Sequence, residues 1–161
     1  MTRRKYRVEY HIPAFAEFGR WAGKRVLEIG GGICTTATSF AKAGAHVTVA
    51  ELSPKSMEMC KARFETMGLA DRATFYVVNA EKLSDVVPVS QFDLVWSFGV
   101  IHHSPNPDRI ISEVLRPCSA AAVHDKKGAQ EGRQRQLRPL LRADTRAATR
   151  RCASTWGPAR S

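Results

Sequence analysis

Two carboxylates and a run of glycines form the clearest candidate ligand site in this chain. Glu28 lies in the apolar segment 25–29, and the next three residues are Gly30, Gly31 and Gly32. Glycine has no Cβ, so the backbone can turn sharply here and a ligand can approach it closely. A fixed negative charge at the mouth of the turn disfavours a phosphate group. The motif therefore predicts a cationic or zwitterionic ligand.

The second carboxylate, Glu51, follows the next apolar segment, 46–50. A carboxylate at the end of a second strand can accept hydrogen bonds from both hydroxyl groups of a ribose. Taken alone, Glu51 is better explained as a surface glutamate, but its spacing from the glycine run favours the ribose. A nicotinamide dinucleotide is disfavoured, because Thr35 stands where the dinucleotide fingerprint has its third glycine.

Alternating strands and helices must position these residues. The apolar pattern predicts strands at 25–29, 46–50, 73–78 and 92–96, and helices at about 35–43, after Ser53-Pro54 and after Asn106-Pro107. Near-continuous apolar strands that alternate with amphipathic helices are typical of an α/β fold with a doubly wound parallel sheet. Ligands of such sheets bind at the carboxyl ends of the strands, where both carboxylates lie.

The charge of the chain is concentrated in its last part. The 161 residues support one domain, and 11 of the 25 Lys and Arg residues lie in 116–161 beside only three Asp or Glu. Residues 124–161 contain no Ile, Phe, Tyr or Met, which predicts a disordered tail, or a foreign or out-of-frame sequence joined near residue 117. A short remnant of a fifth strand at 120–123 is the alternative for the start of this segment.

The cysteines and the hydropathy favour a cytoplasmic protein. The four cysteines form no C-x-x-C pair, so we expect free thiols in a reducing compartment and no metal site. No segment approaches the ~20 apolar residues of a membrane span, and no apolar region follows the basic N-terminus as in a secretory signal. We expect no membrane partner.

Four segments in order carry a family resemblance: VLEIGGGI, VTVAELSP, NAEKL and FDLVWSFGVIHHSPNP. Residues 25–115 resemble a class I S-adenosylmethionine-dependent methyltransferase, of the small-molecule type grouped with ubiquinone and menaquinone biosynthesis enzymes. The resemblance implies a Rossmann-like sheet, here incomplete at about four strands with the last strands missing. It divides the chain into an N-terminal helix or lid segment (1–24), a partial S-adenosylmethionine-binding domain (25–117) and a basic, disordered tail (118–161).

The resemblance also implies roles for individual residues. Around the methionyl part of the cofactor it places the glycine run with Glu28, and beside them Ser97 and Phe98. It assigns Glu51 to the ribose and Leu52 to the adenine face, with Asn79, Ala80 and Glu81 around the adenine edge. An N-terminal lid would include Tyr6, Tyr10 and His11. His103 is the candidate general base, and a histidine that only caps the loop or lines the pocket is the alternative.

One position departs from the family pattern. Cys34 stands where the loop usually carries a further glycine. If the backbone there requires a positive φ, the side chain narrows the loop, and we expect weaker cofactor binding.

Three functions follow as hypotheses. The leading one is methyl transfer from S-adenosylmethionine to an oxygen, nitrogen or carbon of a small-molecule acceptor. A non-catalytic fragment or pseudoenzyme is the second. An RNA methyltransferase guided by the basic tail is the third, and it is disfavoured because the tail lacks interleaved aromatic residues. If the last strands are missing, the fourth strand becomes an exposed apolar edge, through which we expect self-association.

Overall fold

Five parallel strands form one sheet in the computed structural model, which describes residues 6–7, 9–87, 92–115 and 121–124. The elements in chain order are α1 (His11–Ala16), β1 (Arg25–Ile29), α2 (Thr35–Lys42), β2 (His46–Glu51), α3 (Pro54–Thr66), β3 (Ala73–Val77), β4 (Leu94–Phe98), α4 (Pro107–Leu115) and β5 (Ala121–His124). Short 3-10 turns lie at Phe18–Trp21, Ala70–Arg72, Ala80–Asp85 and Ile101–His103. Within these described ranges, no helix has the length and hydropathy that a membrane span requires.

The strand order is β3-β2-β1-β4-β5, so the winding reverses between β1 and β4. Strands β1 and β4 pair in parallel, with Val26 opposite Leu94 and Ile29 opposite Ser97. The carboxyl ends of these two strands therefore flank the switch point, which is where a doubly wound sheet binds its ligand.

Helices cover both faces of the sheet, as the sequence predicts. On one face, Phe40 of α2 and Phe64 of α3 pack with Trp96 in a buried cluster that also includes residues of α1. On the other face, Leu27, Ile29 and Val95 pack with residues of α4. The apolar strand residues are buried on both sides, and this explains the near-continuous apolar runs that identified the strands.

Local signals set most of the helix ends. Ser53 caps α3 by accepting a hydrogen bond of 3.2 Å from the Ser56 N–H, and Pro54 occupies the first turn. The start of α2 has no such signal, because its N-cap is Cys34, which makes no side-chain cap hydrogen bond.

Two of the sequence-based boundaries are corrected. The fourth strand runs over Leu94–Phe98 and not over 92–96. Asp93 precedes it and forms two hydrogen bonds with Arg25: its N–H donates to the Arg25 carbonyl, and its carboxylate accepts from the Arg25 N–H. The second concerns the tail: Ala121–His124 forms β5, which pairs with β4 from Val95 to Phe98. This strand agrees with the alternative of a short fifth strand at 120–123. Over Ala121–His124 the expectations of disorder and of an exposed β4 edge are wrong.

The remainder of the predicted tail, 125–161, lies outside the described residues, as do 1–5, 8, 88–91 and 116–120. The hypothesis that a basic tail guides RNA binding concerns residues 125–161 and stays a prediction.

The cysteines correct a further expectation. Cys34 and Cys60 form a disulfide with their Cα atoms 5.2 Å apart, and both side chains are fully buried. The spacing of these two residues in the chain gave no sign of this, because the contact is made only when α2 and α3 pack side by side on the sheet.

Candidate functional site

The glycine loop that follows β1 has three glycines in three different environments. Gly30 adopts φ +70°, and a Cβ there would collide with the Val100 side chain. A Cβ at Gly31 would lie 2.8 Å from a methyl group of Val49. Gly32 adopts φ +55° with no atom within 4 Å of a Cβ position, so this side of the loop is open. Gly30 and Gly31 thus serve packing, while Gly32 borders free space that a ligand can enter.

The Glu51 carboxylate joins the glycine loop to the end of β2. One of its oxygens accepts a hydrogen bond of 2.9 Å from the Gly32 N–H, and the other accepts one of 2.9 Å from the Ser53 N–H. Each carboxylate oxygen keeps acceptor capacity after one such bond. Glu51 therefore fixes the loop and can also accept hydrogen bonds from a ribose.

The neighbour of Glu51 is an exposed apolar side chain. Leu52 is 66% exposed at the mouth of the loop. An isolated exposed leucine needs no explanation by itself. It follows Glu51 in the chain and presents an apolar surface beside that carboxylate, and its predicted contact with a base stays a prediction.

The acidic residue before the loop is buried. Glu28 is 4% exposed, and one of its carboxylate oxygens lies 3.9 Å from the Cβ position of Gly31. Burial raises the pKa of the nearby Tyr6 hydroxyl, and the charge of Glu28 raises that pKa further. The sequence predicts a negative charge at the mouth of the turn, and the role of Glu28 toward a cationic ligand stays a prediction.

The turn after β3 contains three of the sequence-predicted site residues. The Asn79 side chain accepts a hydrogen bond of 2.9 Å from the Glu81 N–H, so its oxygen caps the turn over Ala80–Asp85. The Glu81 carboxylate accepts a hydrogen bond from the Ser104 hydroxyl. Asn79 itself is exposed, whereas Ala80 and Glu81 are half-buried.

The loop after β4 lies directly against the glycine loop through the contact of Val100 with Gly30. Ser97 is buried, with its hydroxyl 3.4 Å from the Ile29 carbonyl oxygen, so its side chain contacts β1. Phe98 at the end of β4 is half-buried. The Ile101–His103 turn follows, with the rings of His102 and His103 4.0 Å apart and His103 exposed.

Part of the N-terminal segment reaches the carboxyl-end edge of the sheet, where the glycine loop lies. The His11 ring lies 5.9 Å from the ring of Phe98, which brings α1 to the carboxyl end of β4. Tyr10 is 78% exposed. Tyr6 instead packs on Phe18 and shares a hydrogen bond of 2.8 Å with Ser39 of α2. Of the predicted lid residues, His11 packs against Phe98, and Tyr6 lies near enough to Glu28 for the charge of Glu28 to raise its pKa.

Sequence reasoning missed the residues that hold the Asn79–Glu81 turn in place. Glu113 of α4 is 1% exposed and accepts a hydrogen bond of 2.8 Å from the Ser84 N–H, and Arg109 contacts both elements. A glutamate in the middle of the apolar stripe of α4 was the available signal, because a buried charge requires partners.

A cavity lies at the edge of the sheet opposite to the glycine loop. Its volume is about 250 Å³, and its lining includes Arg25, His46 and Ala73, the first residues of β1, β2 and β3. Because these are the amino ends of the strands, the cavity is separate from the loops described above. Among the residues that the structure describes, no group of three His, Cys, Asp or Glu side chains is arranged to hold a metal ion.

Comparison with known proteins gives a family match over most of the described chain. The methyltransferase-domain family matches residues 27–120. This range contains the glycine loop, the Ala80–Asp85 turn and the Ile101–His103 turn.

Individual relatives agree with this match. The chain is 33% identical over 108 residues to methyltransferase GfsG of Streptomyces halstedii, covering 65% of this chain and 38% of that protein. It is 34% identical over 104 residues to the ubiquinone biosynthesis O-methyltransferase of Bordetella bronchiseptica, covering 65% of this chain and 40% of the relative. The chain thus spans about two fifths of the length of these curated relatives.

A solved structure shows the same fold. The arsenic(III) S-adenosylmethionine methyltransferase CrArsM from Chlamydomonas reinhardtii superposes with a TM-score of 0.59 and 28% identity, over 64% of this chain and 38% of that one.

Proposed function

The chain belongs to the methyltransferase-domain family, and from this we propose that it binds S-adenosylmethionine at the Gly30–Gly32 loop and transfers the methyl group to a hydroxyl group of a small molecule. The choice of oxygen as the acceptor atom is supported by relatives named O-methyltransferases.

The site residues fit this cofactor. Two carboxylates, Glu28 and Glu51, suit a ligand that carries an ammonium and a sulfonium charge. The open side of Gly32 allows the ligand to lie against main chain, and the exposed Leu52 offers an apolar surface for a base. The free space at Gly32, with the Glu51 carboxylate bonded to the Gly32 N–H, favours a cationic adenosyl compound over a phosphate-bearing one.

The protein has little covalent chemistry to perform. Bound S-adenosylmethionine supplies a methyl group already activated on a positively charged sulfur. The contribution of this chain is then to orient cofactor and acceptor and to exclude water between them. A hydroxyl acceptor must also lose its proton, and His103, exposed on the loop that lies against the glycine loop, is our candidate to accept it.

The observation that carries the proposal is the Glu51 carboxylate, held between the Gly32 and Ser53 N–H groups at the open side of the loop. We expect the wild-type protein to bind S-adenosylhomocysteine in isothermal titration calorimetry. Glu51→Ala should weaken binding by about tenfold or more, since one charged hydrogen bond is worth about 1.5–3 kcal/mol.

Glu58→Ala is the matched control. The Glu58 side chain is 66% exposed on α3, and within the described part of the chain its carboxylate forms an ion pair with Lys55, so its loss should leave the affinity unchanged. A thermal melt of each variant separates lost binding from lost folding. Well-folded wild-type protein that ignores S-adenosylhomocysteine at millimolar concentration would overturn the proposal.

His103→Ala tests the step at the acceptor. We expect methyl transfer to a hydroxyl acceptor to fall by about 100-fold or more, the usual contribution of a general base, with unchanged affinity for S-adenosylhomocysteine. His46→Ala, an exposed histidine at the amino end of β2, serves as the control. Unchanged turnover in His103→Ala would reduce His103 to a loop or pocket residue, and binding without any methyl transfer by the wild type would favour the non-catalytic alternative.

A further inference from the structure

The turn that follows β3 is attached to α4 through a buried carboxylate. Glu113 is 1% exposed and accepts a hydrogen bond of 2.8 Å from the Ser84 N–H of the turn. Its other oxygen lies 3.0 Å from Nη2 of Arg109, one turn earlier on the same helix. Because a buried carboxylate is costly without such partners, these contacts fix the separation between the turn and the helix.

Arg109 attaches the other end of the same turn. Its Nε donates a hydrogen bond of 3.1 Å to the carbonyl oxygen of Glu81. The backbone of the Ala80–Asp85 turn is thus held by α4 at Glu81 and again at Ser84. A shift of this turn therefore requires α4 to move or these bonds to break.

A third contact joins the turn to the loop after β4. The Ser104 hydroxyl donates to the Glu81 carboxylate and accepts a hydrogen bond of 2.9 Å from the Asn106 N–H. The N–H of Ser104 bonds the carbonyl of Ile101 at 3.1 Å, which closes the turn that carries both histidines. One side chain, Ser104, therefore connects three segments: the turn after β3, the histidine turn and the start of α4.

We infer that the Glu81–Ser104 hydrogen bond couples the two halves of the site, so that a ligand bound at the Asn79–Glu81 turn orders the Ile101–His103 turn. The inference rests on the proposed function, in which the first turn surrounds the adenine edge and the second faces the acceptor. Glu81 and Ser104 are positioning residues here. Coupling of this kind needs an element that both sites bias, and the hydrogen-bonded Ser104 side chain is that element.

Hydrogen exchange of the backbone amides tests the coupling directly. In the wild type, saturating S-adenosylhomocysteine should slow exchange at both turns. The reporters are the N–H groups of Lys82 and Ser84 on one side and of His103 and Ser104 on the other, all hydrogen-bonded in the structure. In Ser104→Ala, the ligand should still slow exchange at Lys82 and Ser84. At residues 103 and 104, the slowing by the ligand should be smaller than in the wild type by about fivefold or more.

The controls separate coupling from a general loss of structure. Ser104→Thr keeps the hydroxyl and should restore the wild-type response at His103. Ser112→Ala removes a hydroxyl of α4 that donates to the Asp108 carbonyl of the same helix, and it should leave both responses unchanged. If Ser104→Ala does not fold, Glu81→Gln replaces the charged acceptor by a neutral one and should show the same loss to a smaller extent.

Two results would overturn the inference, and a third would overturn the proposed function. Equal slowing at His103 in wild type and Ser104→Ala would show that the bond does not couple the turns. If wild-type protein does not bind S-adenosylhomocysteine, the proposed function fails. The Glu81–Ser104 hydrogen bond is then tested in the ligand-free protein, where Ser104→Ala must speed hydrogen exchange of the Lys82 N–H. An unchanged exchange rate at Lys82 would overturn the inference as well.

Discussion

At the scale of single residues, the three glycines of the loop do different things although the sequence writes them alike. Both Gly30 and Gly32 have a positive φ, but Val100 fills the space where a Cβ of Gly30 would lie, whereas the free side of Gly32 borders the candidate ligand. One glycine therefore matters for folding and the other for binding.

Alanine substitutions should separate these roles. Gly30→Ala introduces a methyl group into the Val100 side chain, and we expect it to lower the free energy of unfolding by about 1–3 kcal/mol, as overpacking does. Gly32→Ala meets no atom in the protein, so it should cost only about 1 kcal/mol for its positive φ while strongly reducing affinity for S-adenosylhomocysteine. Urea unfolding and calorimetric titration of the two variants supply the comparison. Normal affinity in Gly32→Ala would mean that the ligand does not lie on that side.

Cys34 stands where the family pattern has a glycine, and the sequence predicts that a positive φ there would narrow the loop. Its backbone does adopt a positive φ of 56°, as the missing glycine required. Its sulfur, however, is buried beside Cys60 and away from the open side of Gly32. The sulfur lies 3.1 Å from the Cβ position of Gly31, on the buried side of the loop, and the expected effect on cofactor affinity stays a prediction.

At the scale of elements, the Cys34–Cys60 bond joins the start of α2 to the middle of α3, with 26 residues of sequence separation. Arg63, one turn further along α3, donates a hydrogen bond of 3.4 Å to the carbonyl of Ile33 in the same loop. The glycine loop is therefore anchored to α3 as well as to β2.

Reduction should weaken this anchor measurably. A disulfide that closes a loop of this length is expected to contribute about 3 kcal/mol to the free energy of unfolding. Adding a dithiol reductant should lower the urea midpoint of the wild type and leave that of Cys60→Ala unchanged. A wild-type midpoint that is insensitive to reductant would show that the two cysteines are thiols in solution, as the sequence first suggested.

At the scale of the whole molecule, β5 changes the expected behaviour of the sheet. The short strand Ala121–His124 pairs with β4 along Val95–Phe98, so that stretch of β4 is not a free edge. Unpaired strand edges promote association with other chains, and a strand of four residues is a short cover for this one. Self-association through β4 should therefore depend on whether β5 stays paired.

Proline substitution in β5 tests this dependence. Successive N–H groups of a strand point to opposite sides, so proline at both Ala121 and Ala122 removes whichever N–H faces β4. We expect the double proline variant to shift toward dimers or larger species in light scattering. Glycine at both positions retains the N–H groups and should associate less. A monomeric double proline variant would show that the edge of β4 is protected by other means.

The sequence by itself determined the local features: four apolar strands, the helices between them, the Ser53 cap and the placement of Glu28 and the glycine loop after β1. These depend on periodicity and on backbone chemistry within a few residues, which a single chain displays directly. The same locality explains why Glu51 could be assigned to the site, because the carboxyl ends of parallel strands meet at one edge.

Only the tertiary structure decided the contacts between distant segments. The pairing of β5, the Cys34–Cys60 bond, the contact of Val100 with Gly30 and the burial of Glu113 against Ser84 all join residues that the chain brings together by packing. Such contacts depend on the relative placement of whole elements, and no local pattern encodes that placement. For this reason the sequence located the ligand loop, whereas the attachment of the Asn79–Glu81 turn to the histidine turn through Ser104 emerged from the packed fold.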